Sequence, residues 1–151
     1  VCEPSLGVGR AFCVFMFDSY FYDEKRQNTI LKLHPLLAPY KAAVFPIIKQ
    51  PEYEKLAQDV LNDLRKEFSI SYDKSGSIGR RYARNDEIGT PYCITIDGVS
   101  PKDNDVTIRD RDTTKQIRVK IKELKDILRK LINKEVSFDR AGKKVETRVK
   151  V

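Results

Sequence analysis

A chain of 151 residues, 40% hydrophobic and 34% charged, has the apolar content for one medium-sized domain with a core, which excludes an intrinsically disordered polymer. Its net charge of +7 is uneven: residues 1–26 hold four acids (Glu3, Asp18, Asp23, Glu24) against three bases (Arg10, Lys25, Arg26), so the surplus lies in the remainder, the part expected to meet phosphate. The longest apolar stretch, Ala11 to Phe17, is far too short to span a bilayer and follows Arg10 without a cleavage pattern, so the reading is a soluble, cytoplasmic chain with no membrane partner.

Residues 10–22 form a helix-length run that is apolar nearly all round, and such a helix needs protein on most of its sides. The following 25 residues offer little to cover it, so residues 1–26 are expected to belong to a larger domain. Pro35 and Pro39 mark residues 27–40 as an extended connector. A compact domain is expected over 41–135, opening with a β-prone run from Lys41 to Ile48. Leu56, Val60, Leu61, Leu64 and Phe68 recur at spacings of three and four and predict an amphipathic helix over 52–68, followed by a short strand to Tyr72.

The segment from Gly76 to Gly89 reads as a short cationic helix. Ser77 is placed to cap it, Gly89 to end it in the left-handed conformation, and Pro91 to stop its continuation. Ile78 and Tyr82 share one face, while Arg80 and Arg84 share a neighbouring one with Arg81 beside them. Asp86 and Glu87 fall in the last turn, where a carboxylate opposes the helix dipole, so they either pair with arginines or serve another purpose.

Tyr92 to Asp97 is the next predicted strand. Val106 and Ile108 then alternate with Thr107, Arg109 and Arg111, and Ile117, Val119 and Ile121 alternate likewise, predicting a hairpin at the sheet edge with Arg109 and Arg111 on one face. Leu124, Ile127, Leu128, Leu131 and Ile132 form the stripe of a closing helix, and the tail over 136–151 is a short hairpin or a frayed end. The order β-α-β-α-β-β-β-α predicts an α/β domain, a mixed five-stranded sheet flanked by three helices. Arg118 and Lys120 join the arginines above as cationic candidates.

Cys2, Cys13 and Cys93 lack any Cys-x-x-Cys spacing, and the last two lie among apolar neighbours, as packed thiols do. With His34 the only histidine, neither a zinc site nor a Ser-His-Asp triad is expected, and no metal site is assigned.

Lys41-Ala-Ala-Val-Phe-Pro, Gly76-Ser-Ile-Gly-Arg-Arg-Tyr-Ala-Arg-Asn-Asp-Glu-Ile-Gly-Thr-Pro, Ile94-Thr-Ile-Asp and Thr107-Ile-Arg-Asp-Arg-Asp-Thr resemble the anticodon-binding domain of glycyl-tRNA synthetases over about residues 38–132. Glu3-Pro-Ser-Leu-Gly-Val-Gly-Arg10 resembles the third signature motif of class II synthetases, a strand running into a helix. The resemblance implies that Arg10 is a catalytic residue contacting ATP phosphate and that Glu3 and Ser5 read glycine. A guanidinium suits charge on phosphate, and a carboxylate suits an ammonium. The first and second class II motifs are not visible, so the implied organisation is a catalytic-domain remnant (1–26), a linker (27–40), the anticodon-binding domain (41–135) and a tail (136–151). Such a piece is not expected to form glycyl-adenylate alone.

The implied function is recognition of tRNA(Gly) through its anticodon, for ATP-dependent attachment of glycine by the full-length enzyme, a homodimer using Mg. Arg80, Arg81, Arg84, Arg109 and Arg111 supply backbone contacts and stacking, and Asp86 and Glu87 accept from cytosine amines. Arg80 leads this set, Tyr82 reads as core, and Tyr72 is open between core and stacking surface. Two rivals are a synthetase-derived accessory module that grips nucleic acid without aminoacylating it, and a small-ligand α/β protein, whose phosphate loop Gly76-Ser77-Ile78-Gly79 only partly supplies.

Overall fold

The computed structural model describes residues 1–145, so residues 146–151 of the tail lie outside the described residues. Helix α1 (Val8–Ser19) leads into an antiparallel hairpin of β1 (Tyr20–Asp23) and β2 (Asn28–Leu31). The main sheet is built from β3 (Ala42–Pro46), β4 (Ile70–Tyr72), β5 (Tyr92–Ile96), β6 (Asp105–Asp110), β7 (Gln116–Lys120) and β8 (Lys143–Val145), in the spatial order β4-β3-β5-β6-β7-β8. Helices α2 (Pro51–Leu64) and α3 (Ile78–Glu87) connect the parallel strands, a short α4 (Ser100–Asp103) precedes β6, and α5 (Ile121–Ile132) follows β7. Strands β4 and β5 both run parallel to β3, and the others pair antiparallel.

β3 sits inside the sheet with Ala42, Ala43, Val44 and Phe45 all at 0% exposure, which explains its near-continuous apolar sequence. On one face, Ala42 and Val44 join Ile94, Ile96, Val106, Ile108, Ile117 and Val119 under the apolar stripes of α2 and α5. On the other, Ala43, Phe45 and Cys93 meet Ile78 and Tyr82 of α3. The alternation of strand side chains therefore assigns every odd position of β3, β5 and β6 to the α3 side. Tyr82 is core as expected, edge-on to Phe45, and Tyr72 packs half-buried against the α2 side.

Several expectations give way. Among the described residues the sheet has six strands instead of five, because Lys143–Val145 pairs with β7, so the tail contributes regular structure. The apolar run over 10–22 is helical only to Ser19; its aromatic end, Tyr20-Phe21-Tyr22, is strand-prone and finds a partner in β2. For the same reason the segment read as an extended connector, 27–40, carries a strand at its start. Residues 1–7 carry no regular element ahead of α1. Cys13 and Cys2 are exposed, and only Cys93 is a packed thiol.

The helices are laced together by ion pairs whose acids are held low. Asp63 accepts from Lys125 and Glu67 from Arg129, each between α2 and α5. At the end of β5, burial works to raise the Asp97 pKa, but hydrogen bonds from Arg118 and the Val99 amide outweigh it and leave the net shift downward. An acid whose pKa is depressed on folding lends stability above its unfolded value and loses it as the pH falls through the folded value. The urea midpoint is therefore expected to hold between pH 7 and 5 and to drop below about pH 4. A midpoint unchanged at pH 3 contradicts these pairings.

Candidate nucleic-acid interface

The charged residues singled out around α3 fall into two groups, one inside the fold and one facing solvent. Register explains the first group. Arg109 lies opposite Cys93 on the α3 side of the sheet, so the face on which the sequence placed its arginines is roofed by a helix. Its Nη1 and Nη2 donate to Asp86 Oδ1 and Oδ2 at 2.9 and 3.0 Å, and both residues are buried. The guanidinium also stands 4.5 Å from the centre of the Tyr82 ring. Burial works against its charge, but the Asp86 hydrogen bonds prevail and the Arg109 pKa rises. Burial pushes the neighbouring Cys93 thiol up to about 12, which keeps it protonated and inert.

Arg111 and Arg81 are buried as well. Arg111 donates from Nη1 to Gly89 O at 2.8 Å, from Nη2 to Leu33 O at 3.0 Å and from Nε to Asp112 Oδ1 at 2.8 Å. Arg81 donates from Nη1 to Pro46 O at 2.7 Å and from Nη2 to Gly76 O at 2.9 Å, stapling the end of β3 to the loop that begins α3; its Nε has no partner. Asp86, Arg81, Arg109 and Arg111 thus direct their side-chain hydrogen bonds into the protein. For Asp86 this is the pairing alternative seen in the sequence.

The second group faces outward. Arg80 is exposed; among the described residues its guanidinium makes no hydrogen bond or ion pair, while its backbone N–H donates to the Ser77 cap at 3.5 Å. Arg84, on the same side, is exposed and tethered: its Nε donates to Asp73 Oδ2 at 3.2 Å and its Nη2 to Ser75 O at 2.8 Å. Burial would raise the Asp73 pKa, but Arg84 and the Ser75 amide hold it below the usual carboxylate value. Glu87 is exposed at the end of the helix. Gly89 follows with φ +80°, the left-handed stop the sequence predicts. Among the described residues, the outer side of α3 therefore offers one free guanidinium, one preorganised guanidinium and one carboxylate.

Arg118 and Lys120 do not join this surface as free cations. Arg118 pairs with Asp97 and with Asp105, and Lys120 Nζ donates to Asp103 O at 2.7 Å. Glu3 and Ser5 precede α1, Arg10 lies in its first turn, and all three are exposed and share no hydrogen bond with the α3 cluster. The sequence reading missed Arg26, which the β1–β2 turn delivers to 3.7 Å from Asp86 Oδ2; its spacing to Asp23 looks like any surface pair three residues apart.

Residues 41–131 match the family model described as "Anticodon binding domain". The chain is 50% identical over 133 residues to glycine–tRNA ligase of Clostridium kluyveri, covering 86% of this chain and 28% of that protein. The corresponding figures are 48% over 128 residues for glycine–tRNA ligase of Rhodopirellula baltica, with 80% and 24% covered, and 48% over 132 residues for that of Bacillus anthracis, with 86% and 28% covered. The chain thus spans between 24% and 28% of the length of these curated relatives. Among solved structures, prolyl-tRNA synthetase from Cryptosporidium parvum complexed with L-proline and AMP matches 75% of this chain and 24% of its own with a TM-score of 0.66 at 21% identity, a likeness of fold. A family model covering residues 41–131 and a sheet of this topology lead to one conclusion: the chain belongs to the anticodon-binding domain family.

Proposed function

We propose that this chain is the carboxy-terminal part of a glycine–tRNA ligase, whose domain over 41–135 binds the anticodon of tRNA(Gly) with the outer side of α3. The observation that carries the reading is the division of α3. Arg81 and Asp86 anchor the helix through buried hydrogen bonds, while Arg80, Arg84 and Glu87 are exposed. Anticodon bases are single-stranded and can be splayed onto such a surface, stacked on a guanidinium plane and read at their edges. Arg80 contacts a phosphate or base, Arg84 supplies a second charge at a fixed position, and Glu87 accepts from a cytosine amine. Arg81, Asp86, Arg109 and Arg111 belong to the same site as its support.

Residues 1–26 are, in this reading, the end of a catalytic domain, with Arg10 toward ATP phosphate and Glu3 and Ser5 toward glycine. The exposed apolar residues Phe12, Val14, Phe15 and Phe17 of α1 support it, since such a surface calls for more protein. ATP, glycine and Mg are then substrates and cofactor of the longer enzyme, a cytoplasmic homodimer, with residues 27–40 joining its two domains. No helix among the described residues is long and apolar enough to cross a membrane.

Filter binding of this chain to tRNA(Gly) and to the same tRNA with an altered anticodon, across a salt series, tests the reading. The first is expected to bind more tightly at every salt concentration, and Arg80→Ala to weaken it by about 1–3 kcal/mol. Equal affinity for both tRNAs favours the accessory module that grips nucleic acid without reading it. Unchanged affinity in a folded Arg80→Ala variant removes Arg80 from the interface.

A further inference from the structure

The β1–β2 turn brings one guanidinium to a place where three parts of the chain meet. Asp23 Oδ1 accepts from the backbone N–H groups of Lys25 and Arg26, and Gln27 takes the left-handed conformation at φ 50°, so the turn is fixed from within. It aims Arg26 inward. Nη1 donates to Arg111 O at 2.8 Å and Nη2 to Asp112 O at 3.0 Å, two successive carbonyls just beyond β6, while Nε lies 3.1 Å from Asp23 Oδ2. The same group faces the buried Asp86, which already holds Arg109. Beside it, Asn28 Nδ2 donates to Ala83 O of α3 at 3.3 Å, and Arg111 reaches back to Leu33 O.

We propose that Arg26 is a positioning residue, a latch that fixes the β1–β2 hairpin, and with it α1, to α3 and the β6–β7 turn as one rigid body. The hairpin continues α1 without a break, and Ser19 O accepts from Lys32 N, so whatever holds the hairpin also sets the direction of α1. The guanidinium reaches the two carbonyls from separate nitrogens while its Nε stays at Asp23, a planar spread that the single nitrogen of a lysine, although it carries three donors, does not reproduce. Without the fork, what remains among the described residues between hairpin and domain is one long amide contact, Arg111 to Leu33 and apolar packing. The inference stands on this geometry whether or not the chain reads an anticodon.

Spin-label distances test it. Cys13 on α1 is exposed and Cys93 is buried, so in a Cys2→Ser background a label at Cys13 can be paired with one at Lys122→Cys on the outside of α5, whose side chain is 80% exposed. The parent is expected to give one narrow distance distribution. Arg26→Ala and Arg26→Lys are both expected to broaden it at least twofold, with hydrogen exchange at the Ile94 and Ile108 amides unchanged. Arg26→Lys decides, because it keeps a cation near Asp86 and with it the fold: a distribution as narrow as the parent's overturns the latch, whatever Arg26→Ala does. Arg26 does not lie on the outer side of α3, so tRNA(Gly) affinity of Arg26→Lys should stay within about twofold of the parent. Loss of tRNA binding in the parent would therefore count against the proposed function while leaving the distance measurement intact.

Discussion

Asp86→Ala is expected to cost about 3–5 kcal/mol of folding stability, because it leaves the Arg109 guanidinium buried without a counter-charge. Asp86 and Arg109 are only 2% and 6% exposed. Two charge-assisted hydrogen bonds and the attraction of Arg26 disappear with the same carboxylate. Urea unfolding followed by far-UV circular dichroism gives the number. Double replacement, Asp86→Ala with Arg109→Met, should recover much of the loss, since a buried pair exchanged for apolar groups of similar volume is often nearly neutral. A loss below about 1 kcal/mol for the single variant would place the pair among surface ion pairs and contradict its burial.

Gly89→Ala acts on the same junction from the backbone. At φ +80° an L-residue carries a conformational penalty of about 1–2 kcal/mol. The added Cβ would stand 2.9 Å from Leu33 Cδ1 and 3.1 Å from Leu31 O, and the second of these is backbone that cannot rotate away. Forcing the hairpin outward adds about 1–3 kcal/mol of overpacking, for a total of about 2–5 kcal/mol, readable in the same urea titration. Gly76→Ala is the control. It shares a positive φ of 73°, but its Cβ would find only the flexible Arg80 side chain at 4.0 Å, so it should show the conformational penalty alone.

The bounds and faces of the cationic helix were legible because caps are local: Ser77, Gly89 and Pro91 act within a turn of where they stand, and Ile78 and Tyr82 are four apart. The parallel strands were legible because helical periods separate them, and strands joined through helices require crossover connections. What the residues around α3 do was only half legible. Arginines alternating with Val106 and Ile108 mark a polar face correctly, but whether that face meets water depends on α3 crossing over it, a contact between segments about 23 residues apart. The separate fates of Arg80 and Arg81 turn on a single step of helix rotation. Arg26 and the β2 strand were hidden for a related reason, since hairpin pairing and a bridge across 85 residues leave no periodic trace in so short a segment.

Burial also separates two quantities that a count of arginines merges. A protein that grips a nucleic-acid backbone displaces condensed cations only where its own charges reach the phosphates. Arg81 and Arg111 sit among carbonyl oxygens, and Arg109 faces a carboxylate, so none of them can evict a counterion from a bound strand. The ion atmosphere of an RNA held against α3 would be thinned by Arg80, Arg84 and nearby surface lysines alone. A chain with a formal charge of +7 can in this way hold RNA through few phosphates, leaving more of its selectivity to base edges than its composition suggests.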